Sequence, residues 1–235
     1  MVAEERFIFK RLETPAERMD SFHLRYQVYC KECHFISETD YPLGYECDSF
    51  DECSLHFGAF DLKGQLIGGS RLILADCARF PIEEHCSSLN VDYAKTPREK
   101  FAEVSRLTIS KFYRRRSNDG LYYGPQSADE TVEDKGELFL RRVRPMAFGL
   151  YRSMYHESKR RGIRYWYALM EKSLWLLLKI HGFVFRPVGP EVDFYGLVTP
   201  YFVDIADLEQ NVYSKFPQFF QFFMQDLEPE LQPKF

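Results

Sequence analysis

A mixed α/β domain is the fold class this sequence predicts, and three observations predict it. Residues 102–110, Ala-Glu-Val-Ser-Arg-Leu-Thr-Ile-Ser, nearly alternate apolar and polar and are rich in strand-forming residues, the pattern of a half-buried strand. Residues 56–60 and 65–74 are apolar runs joined across Lys63-Gly64, a hairpin pattern. Residues 137–161 switch to helical spacing, with Phe139, Val143, Met146, Ala147, Leu150 and Met154 on one face, and a strand pattern follows at 163–170. Strand, loop, helix, strand, helix, strand is a mixed α/β order.

Residues 6–10 alternate and predict a first strand. Thr14 and Pro15 read as the N-cap and first residue of a helix that runs to about Cys33, with Met19, Phe22, His23, Tyr26 and Tyr29 at helical spacing. Residues 34–54, with Pro42 and Gly44, predict a long polar loop of the kind that is usually functional or mobile. Gly68 and Gly69, inside the second hairpin strand, predict a bulge or a close backbone approach. Residues 75–100 are an irregular insertion. Residues 111–136 hold Arg114-Arg115-Arg116, Asp119-Gly120, Gly124-Pro125 and an acidic run, and predict a flexible loop. Gly162 stops the long helix. A short helix at 171–180, a strand starting at 183–185, a last strand at 201–205 and a phenylalanine-rich helix at 216–227 complete the chain. The whole, 1–235, is expected to be one domain with an insertion at 75–100 and a Phe-rich tail at 207–235.

The net charge of −4 hides an asymmetry: residues 98–164 carry 16 basic and 9 acidic side chains, and acidic residues exceed basic ones on either side. A basic middle third in an acidic protein argues for an anionic partner met at one face and against nucleic acid, which calls for a basic overall balance. The charged first 18 residues are unlike a signal peptide. Residues 175–185 are apolar but short and broken by Lys179, His181 and Gly182, so no transmembrane segment is expected. A cytoplasmic protein with six reduced thiols follows. Cys30-x2-Cys33 with Cys47 and Cys53 admits a zinc reading, but the second pair is too widely spaced and the first falls in a helix; buried free thiols and no metal are the expectation.

Charges in apolar settings are the candidate site. Glu103 and Arg106 share a strand three residues apart, so they face opposite sides unless a bulge intervenes. They are a surface ion pair, or a carboxylate and a guanidinium built into a site. Arg71 lies in the middle of an apolar run and must be paired or reach a cleft. Arg25, Asp48 and Asp51 precede it.

This order resembles the LuxI-type acyl-homoserine-lactone synthases, whose pattern runs Arg-x-x-Val/Phe, Glu-x-Asp-x-x-Asp, Gly-x-x-Arg-Leu and Glu-x-Ser-Arg. Here these read Arg25-Tyr-Gln-Val28, Glu46-Cys-Asp48-Ser-Phe-Asp51, Gly68-Gly-Ser-Arg71-Leu72 and Glu103-Val-Ser105-Arg106. The insertion and the Tyr-Cys-Lys-Glu-Cys-His run after Val28 look closer to the long-chain N-acyl amino acid synthases and the acyltransferases of PEP-CTERM/exosortase systems. All look like members of the GNAT acyltransferase superfamily, which implies a mostly antiparallel sheet splayed at its centre and flanked by helices. The resemblance implies Glu103, Ser105 and Arg106 as catalytic residues and Arg25, Phe35, Asp48, Asp51 and Arg71 as substrate-binding ones. Phe35 stands where those synthases have Trp, which bears on recognition of S-adenosylmethionine.

The resemblance also implies an acyl donor thioester and no tightly bound cofactor. The coenzyme A signature Gln/Arg-x-x-Gly-x-Gly/Ala is missing, so acyl carrier protein is expected as donor, with acyl-CoA as the alternative, and a small amine as acceptor. Arg114, Arg115, Arg116, Arg141, Arg142 and Arg144 are the candidate docking face for the acidic carrier protein. Lys159, Arg160 and Arg161 lie too far along the helix to join them. Two alternatives stay open: a synthase using S-adenosylmethionine, and a catalytically idle domain that binds a lipid or a carrier protein, with peripheral membrane contact through the Phe-rich tail.

Overall fold

The computed structural model describes residues 7–91, 96–114 and 132–235. In chain order the elements are β1 (Ile8–Leu12), α1 (Pro15–Tyr26), β2 (Ser54–Phe60), β3 (Leu66–Ile73), α2 (Pro81–His85), β4 (Phe101–Ile109), α3 (Lys111–Arg114), α4 (Val132–Arg161), β5 (Tyr165–Met170), α5 (Lys172–Lys179), β6 (Arg186–Pro187), β7 (Val192–Asp193), β8 (Leu197–Asp204), α6 (Ile205–Lys215) and α7 (Pro217–Met224). The fold is a mixed α/β one. Among the pairings whose register is described, β4–β5 is parallel and the rest are antiparallel.

The chain divides into two compact units. The first holds residues up to 49, 55–71 and 106–153; the second holds 50–54, 72–105 and 154–235. In the first unit β1 pairs with β2 from Ile8↔Phe60 to Leu12↔His56, and β2 neighbours β3. The hairpin turn is fixed by Asp61, whose Oδ1 accepts from the Lys63 and Gln65 N–H groups at 2.9 Å each, while Gly64 supplies a left-handed φ of +80°. The predicted close approach in β3 is present: a Cβ on Gly68 would stand 3.3 Å from the Thr108 carbonyl oxygen. Helix α4 passes so near β1 that a Cβ on Gly149 would stand 2.1 Å from the Phe9 ring.

Helix α1 begins as its sequence requires. The Glu17 N–H donates to Thr14 Oγ1 at 3.2 Å, the Thr14 N–H donates back to Glu17 Oε2 at 3.0 Å, and Pro15 opens the first turn. The predicted continuation to Cys33 is helical but wider: Gln27–Glu32 is a π-helix.

In the second unit the parallel ladder joins Phe101↔Tyr165 to Val104↔Ala168, while β4 itself runs on to Ile109. β5 pairs with β8 from Tyr165↔Asp204 to Met170↔Thr199, and β8 also pairs with β6 and β7. A cluster of rings fills this core, with Phe101 stacked on Tyr165 at 4.9 Å and Tyr165 on Phe202 at 5.4 Å.

Five sequence expectations are corrected. The insertion 75–100 is not wholly irregular, since Pro81 and the capping Glu83 set up α2. The expected loop at 111–136 is helical at Lys111–Arg114 and from Val132 onward. No strand forms at 183–185; β6 begins at Arg186. The Phe-rich helix expected at 216–227 forms as α7, but a further helix, α6, precedes it in the tail, and Phe223 is 2% exposed, packed on Phe183 at 5.2 Å, so that ring serves the core. Finally, the six cysteines are not all free thiols: Cys53 and Cys77 form a disulfide, with Cα atoms 5.5 Å apart, a separation that admits the bond. Among the described residues no helix is long and apolar enough to cross a membrane.

Candidate active site

The first unit gathers a string of alternating charges. Arg25, on the inner face of α1, and Glu46 are 2% and 0% exposed and pair through Arg25 Nε and Glu46 Oε2. Glu46 is held in place by its own N–H, which donates to the Phe22 carbonyl at 3.0 Å. Its Oε1 accepts from Arg106 Nη2 at 3.0 Å and Arg106 Nε at 3.3 Å. Arg106 Nη2 also donates to Asp48 Oδ2 at 2.9 Å, and Asp48 Oδ1 accepts from Arg71 Nη1. The order is Arg25, Glu46, Arg106, Asp48, Arg71, each carboxylate standing between two guanidinium groups.

Burying these charges is costly, and only such pairing offsets it. Burial alone would raise the Glu46 carboxyl, but the Arg106 and Arg25 guanidinium groups outweigh it and hold the group below the usual carboxylate value. Burial likewise works against the charge on Arg106, and Glu46 and Asp48 reverse it. Asp48 is the most open member, with a side chain 21% exposed; Arg106 follows at 10%.

Arg106 has a backbone φ of +53°, in the left-handed region that an arginine rarely adopts. This is the interruption of the β4 alternation that the Glu103 and Arg106 spacing left open. Such backbone costs of order 1–3 kcal/mol and persists where surrounding contacts over-determine it.

Glu103, in the second unit, is 1% exposed, and its Oε2 accepts from the Ile82 N–H of α2 at 2.9 Å. The segment that carries α2 is fastened in several places. Arg98 donates from Nη1 and Nη2 to Glu83 at 3.0 and 3.1 Å, from Nη2 to the Cys77 carbonyl at 3.3 Å, and lies 4.3 Å over the Phe80 ring. The disulfide joins Cys77 to Cys53.

The structure therefore brings together Arg25, Asp48, Arg71 and Arg106, and names Asp48 as a partner of Arg71. Asp51, in the second unit, is buried in the 3-10 turn Ser49–Cys53. Phe35 is half-buried, its ring 6.3 Å from that of Tyr29, and Ser105 is half-buried on β4. Glu46 was missed as a site residue, although it stands two residues before Asp48 in the motif. Arg115 and Arg116 lie outside the described residues, as do the side chains of Arg114, Arg141, Arg142 and Arg144. Lys159, Arg160 and Arg161 are engaged within the second unit by Glu209, Glu228 and Glu157. Among the described residues no group of three or more His, Cys, Asp or Glu side chains is placed to hold a metal ion.

Residues 24–123 match the family model described as an acetyltransferase (GNAT) domain. The fold is that of the GNAT acyltransferases. Of solved structures, TofI in a ternary complex with an inhibitor and MTA is 17% identical, with a TM-score of 0.61 over 97% of this chain and 100% of that one. BjaI, a CoA-dependent acyl-homoserine lactone synthase solved with SAM and isopentyl-CoA, is 19% identical, with a TM-score of 0.55 over 93% and 87%. FeeM, an N-acyl amino acid synthase from uncultured soil microbes, is 15% identical, with a TM-score of 0.53 over 90% and 97%. No curated protein matches the chain. The GNAT match spans Arg25, Glu46, Asp48, Arg71, Glu103 and Arg106, so the whole charged set lies inside the matched domain.

Proposed function

We propose that the protein is an N-acyltransferase that moves a fatty acyl group from an acyl carrier protein thioester to a small amine, such as an amino acid. The observation that carries the reading is the charge string, whose most open members are Asp48 and Arg106. An amino acid presents an ammonium and a carboxylate, and a carboxylate beside a guanidinium matches that pair. Buried partners on either side hold both groups fixed before the acceptor arrives, which is what a precise site requires.

The amine lone pair attacks the thioester carbonyl, the C–N bond forms, the C–S bond breaks, and the carrier thiolate leaves and takes up a proton. The amine must shed a proton to attack, and Glu103 is assigned to receive it, directly or through water. It is the one carboxylate on β4, three residues from Arg106. Ser105, between them, is assigned to the same stretch of catalytic strand. Backbone N–H groups of β4 beyond Val104, where the parallel ladder ends, are the candidates to receive the developing oxyanion.

Carrier protein is preferred to coenzyme A because the phosphate-binding glycine signature is missing and residues 98–164 are basic. Arg114, Arg115, Arg116, Arg141, Arg142 and Arg144 are assigned to its docking. The likeness to FeeM, an N-acyl amino acid synthase, supports an amino acid acceptor. The retained charged set, and the likeness to BjaI with SAM, favour a second reading in which S-adenosylmethionine is the acceptor and the product an acyl-homoserine lactone. In either case the protein works in the bacterial cytoplasm, and the resemblance points to a PEP-CTERM/exosortase setting.

The test is incubation with acylated carrier protein and a mixture of the amino acids and S-adenosylmethionine, followed by mass spectrometry. An N-acyl amino acid supports the first reading and an acyl-homoserine lactone the second. Stable carrier binding with no product contradicts both and leaves a binding module.

A further inference from the structure

Arg106, the left-handed residue of β4, and Leu107 after it each offer a backbone carbonyl to a side-chain hydroxyl. Two hydroxyls meet them. Tyr29, in the π-helix that follows α1, donates from its hydroxyl to the Leu107 carbonyl at 3.1 Å. Thr108 Oγ1 lies 2.9 Å from the Arg106 carbonyl and 3.3 Å from the Tyr29 hydroxyl oxygen. It has one proton to give, and the shorter contact is to Arg106. The Arg106 guanidinium carbon also stands 5.8 Å over the Tyr29 ring.

Tyr29 is itself fixed. Its carbonyl accepts from the Phe35 and Ile36 N–H groups at 2.9 and 3.4 Å. Thr108 is 1% exposed, and burial pushes the Tyr29 hydroxyl above its ordinary value, so it stays a neutral donor. These contacts all lie within the first unit.

The geometry points to Tyr29 and Thr108 as positioning residues for Arg106: their hydroxyls hold the carbonyls at and just after this left-handed residue, and that backbone aims the guanidinium at Glu46 and Asp48. This deepens the proposed acyl transfer and rests on that reading for its kinetic consequence. The acceptor side of the reaction depends on the two hydroxyls, although neither is assigned a contact with substrate.

Tyr29→Phe and Thr108→Val each remove one hydroxyl with little change of shape. Each variant is expected to raise the KM for the amine at least tenfold and to leave the KM for acylated carrier protein within twofold. Thr108→Ser, which keeps the hydroxyl, is expected to restore the wild-type acceptor KM. Loss of packing alone would lower the active fraction and kcat with both KM values unchanged, and that result overturns the proposal. A second readout needs no activity: the Arg106 Nε–H resonance, assigned by its loss in Arg106→Lys, is expected to exchange with solvent at least tenfold faster in Thr108→Val. An unchanged Arg106 resonance overturns the positioning role even if the wild-type protein transfers no acyl group. A faster one supports it in that same case. Should Tyr29→Phe fail to fold, Thr108→Val and Thr108→Ser carry both measurements alone.

Discussion

Arg106 and Glu46 stand 60 residues apart in sequence and meet at 3.0 Å between Nη2 and Oε1, with side chains 10% and 0% exposed. One carboxylate thus serves two buried guanidinium groups, since Glu46 also accepts from Arg25. Replacing Glu46 by Gln removes the counter-ion that Arg25 and Arg106 share, while Arg106 keeps Asp48. The expected loss is about 3–5 kcal/mol in denaturant unfolding at pH 7, the range for breaking a buried pair on one side. The pH dependence has a definite sign. The folded Glu46 carboxyl lies below its ordinary value of 4.5, so its contribution is complete above that value and is lost as pH falls through the folded one. The gap between wild type and Glu46→Gln should therefore be flat from pH 6 to 8 and narrow below about 4.5, as expected for such a carboxylate. A gap that stays constant down to pH 3 contradicts the assignment.

Arg71 is 1% exposed, but its partner Asp48 keeps Arg106 and has a side chain 21% exposed. Arg71→Met therefore strands no fully buried carboxylate. Its cost should be about 1–3 kcal/mol, the scale of a lost charged hydrogen bond, and less than that of Glu46→Gln. Acyl transfer should still fall sharply, because Asp48 loses one of its two anchors. Wild-type turnover in a folded Arg71→Met chain would remove Arg71 from the site.

The Cys53–Cys77 bond spans 24 residues, for which loop closure is worth about 3 kcal/mol. Under non-reducing conditions Cys77→Ser should lose about that much stability, a figure taken from the same loop-closure estimate, and thiol reductant should bring wild type down to meet it. Thiol titration of the unfolded, unreduced protein should find four reactive cysteines. Six would show that the bond does not form.

Charge reversal at Arg115 and Arg142 tests the donor assignment. The apparent KM for acylated carrier protein should rise and its salt dependence flatten, since electrostatic docking acts on encounter and is screened by salt. Transfer from a minimal acyl-pantetheine thioester, which has no acidic surface, should be spared. Equal loss with both donors places these arginines in the active site or the fold, and no loss with either gives the basic segment another partner.

The parts of the fold that were legible are those written in local chemistry. The Thr14-Pro15 cap, the Lys63-Gly64 turn and the alternation of 102–110 each announce an element within a few residues. Arg71 was legible as a paired residue because an arginine in an apolar run has few alternatives. What could not be read depends on distant partners. Glu46 owes its role to Arg25 and Arg106, 21 and 60 positions away, and only its place at the head of the Glu-x-Asp-x-x-Asp motif marks it out. The disulfide joins cysteines whose nearness only the fold creates. Helix α2 is five residues long, too short for periodicity to register. The left-handed φ of Arg106 falls inside a strand at a residue type that gives no warning, in contrast to the glycines. Tyr29 read as one more apolar position on a helix, and its hydroxyl contact to Leu107, 78 residues on, was invisible.

The central claim is amine-dependent acyl transfer with Glu103 as base. It is tested most directly by following free thiol and amide together, in one reaction, with wild type and Glu103→Gln. Gln can still accept the Ile82 N–H that Glu103 now receives at 2.9 Å, so the variant should fold. One thiol is expected per amide formed, none without amine, and a fall of about a hundredfold or more in Glu103→Gln, the scale of a positioned acid or base. Thiol release without amine, or wild-type turnover in folded Glu103→Gln, contradicts it.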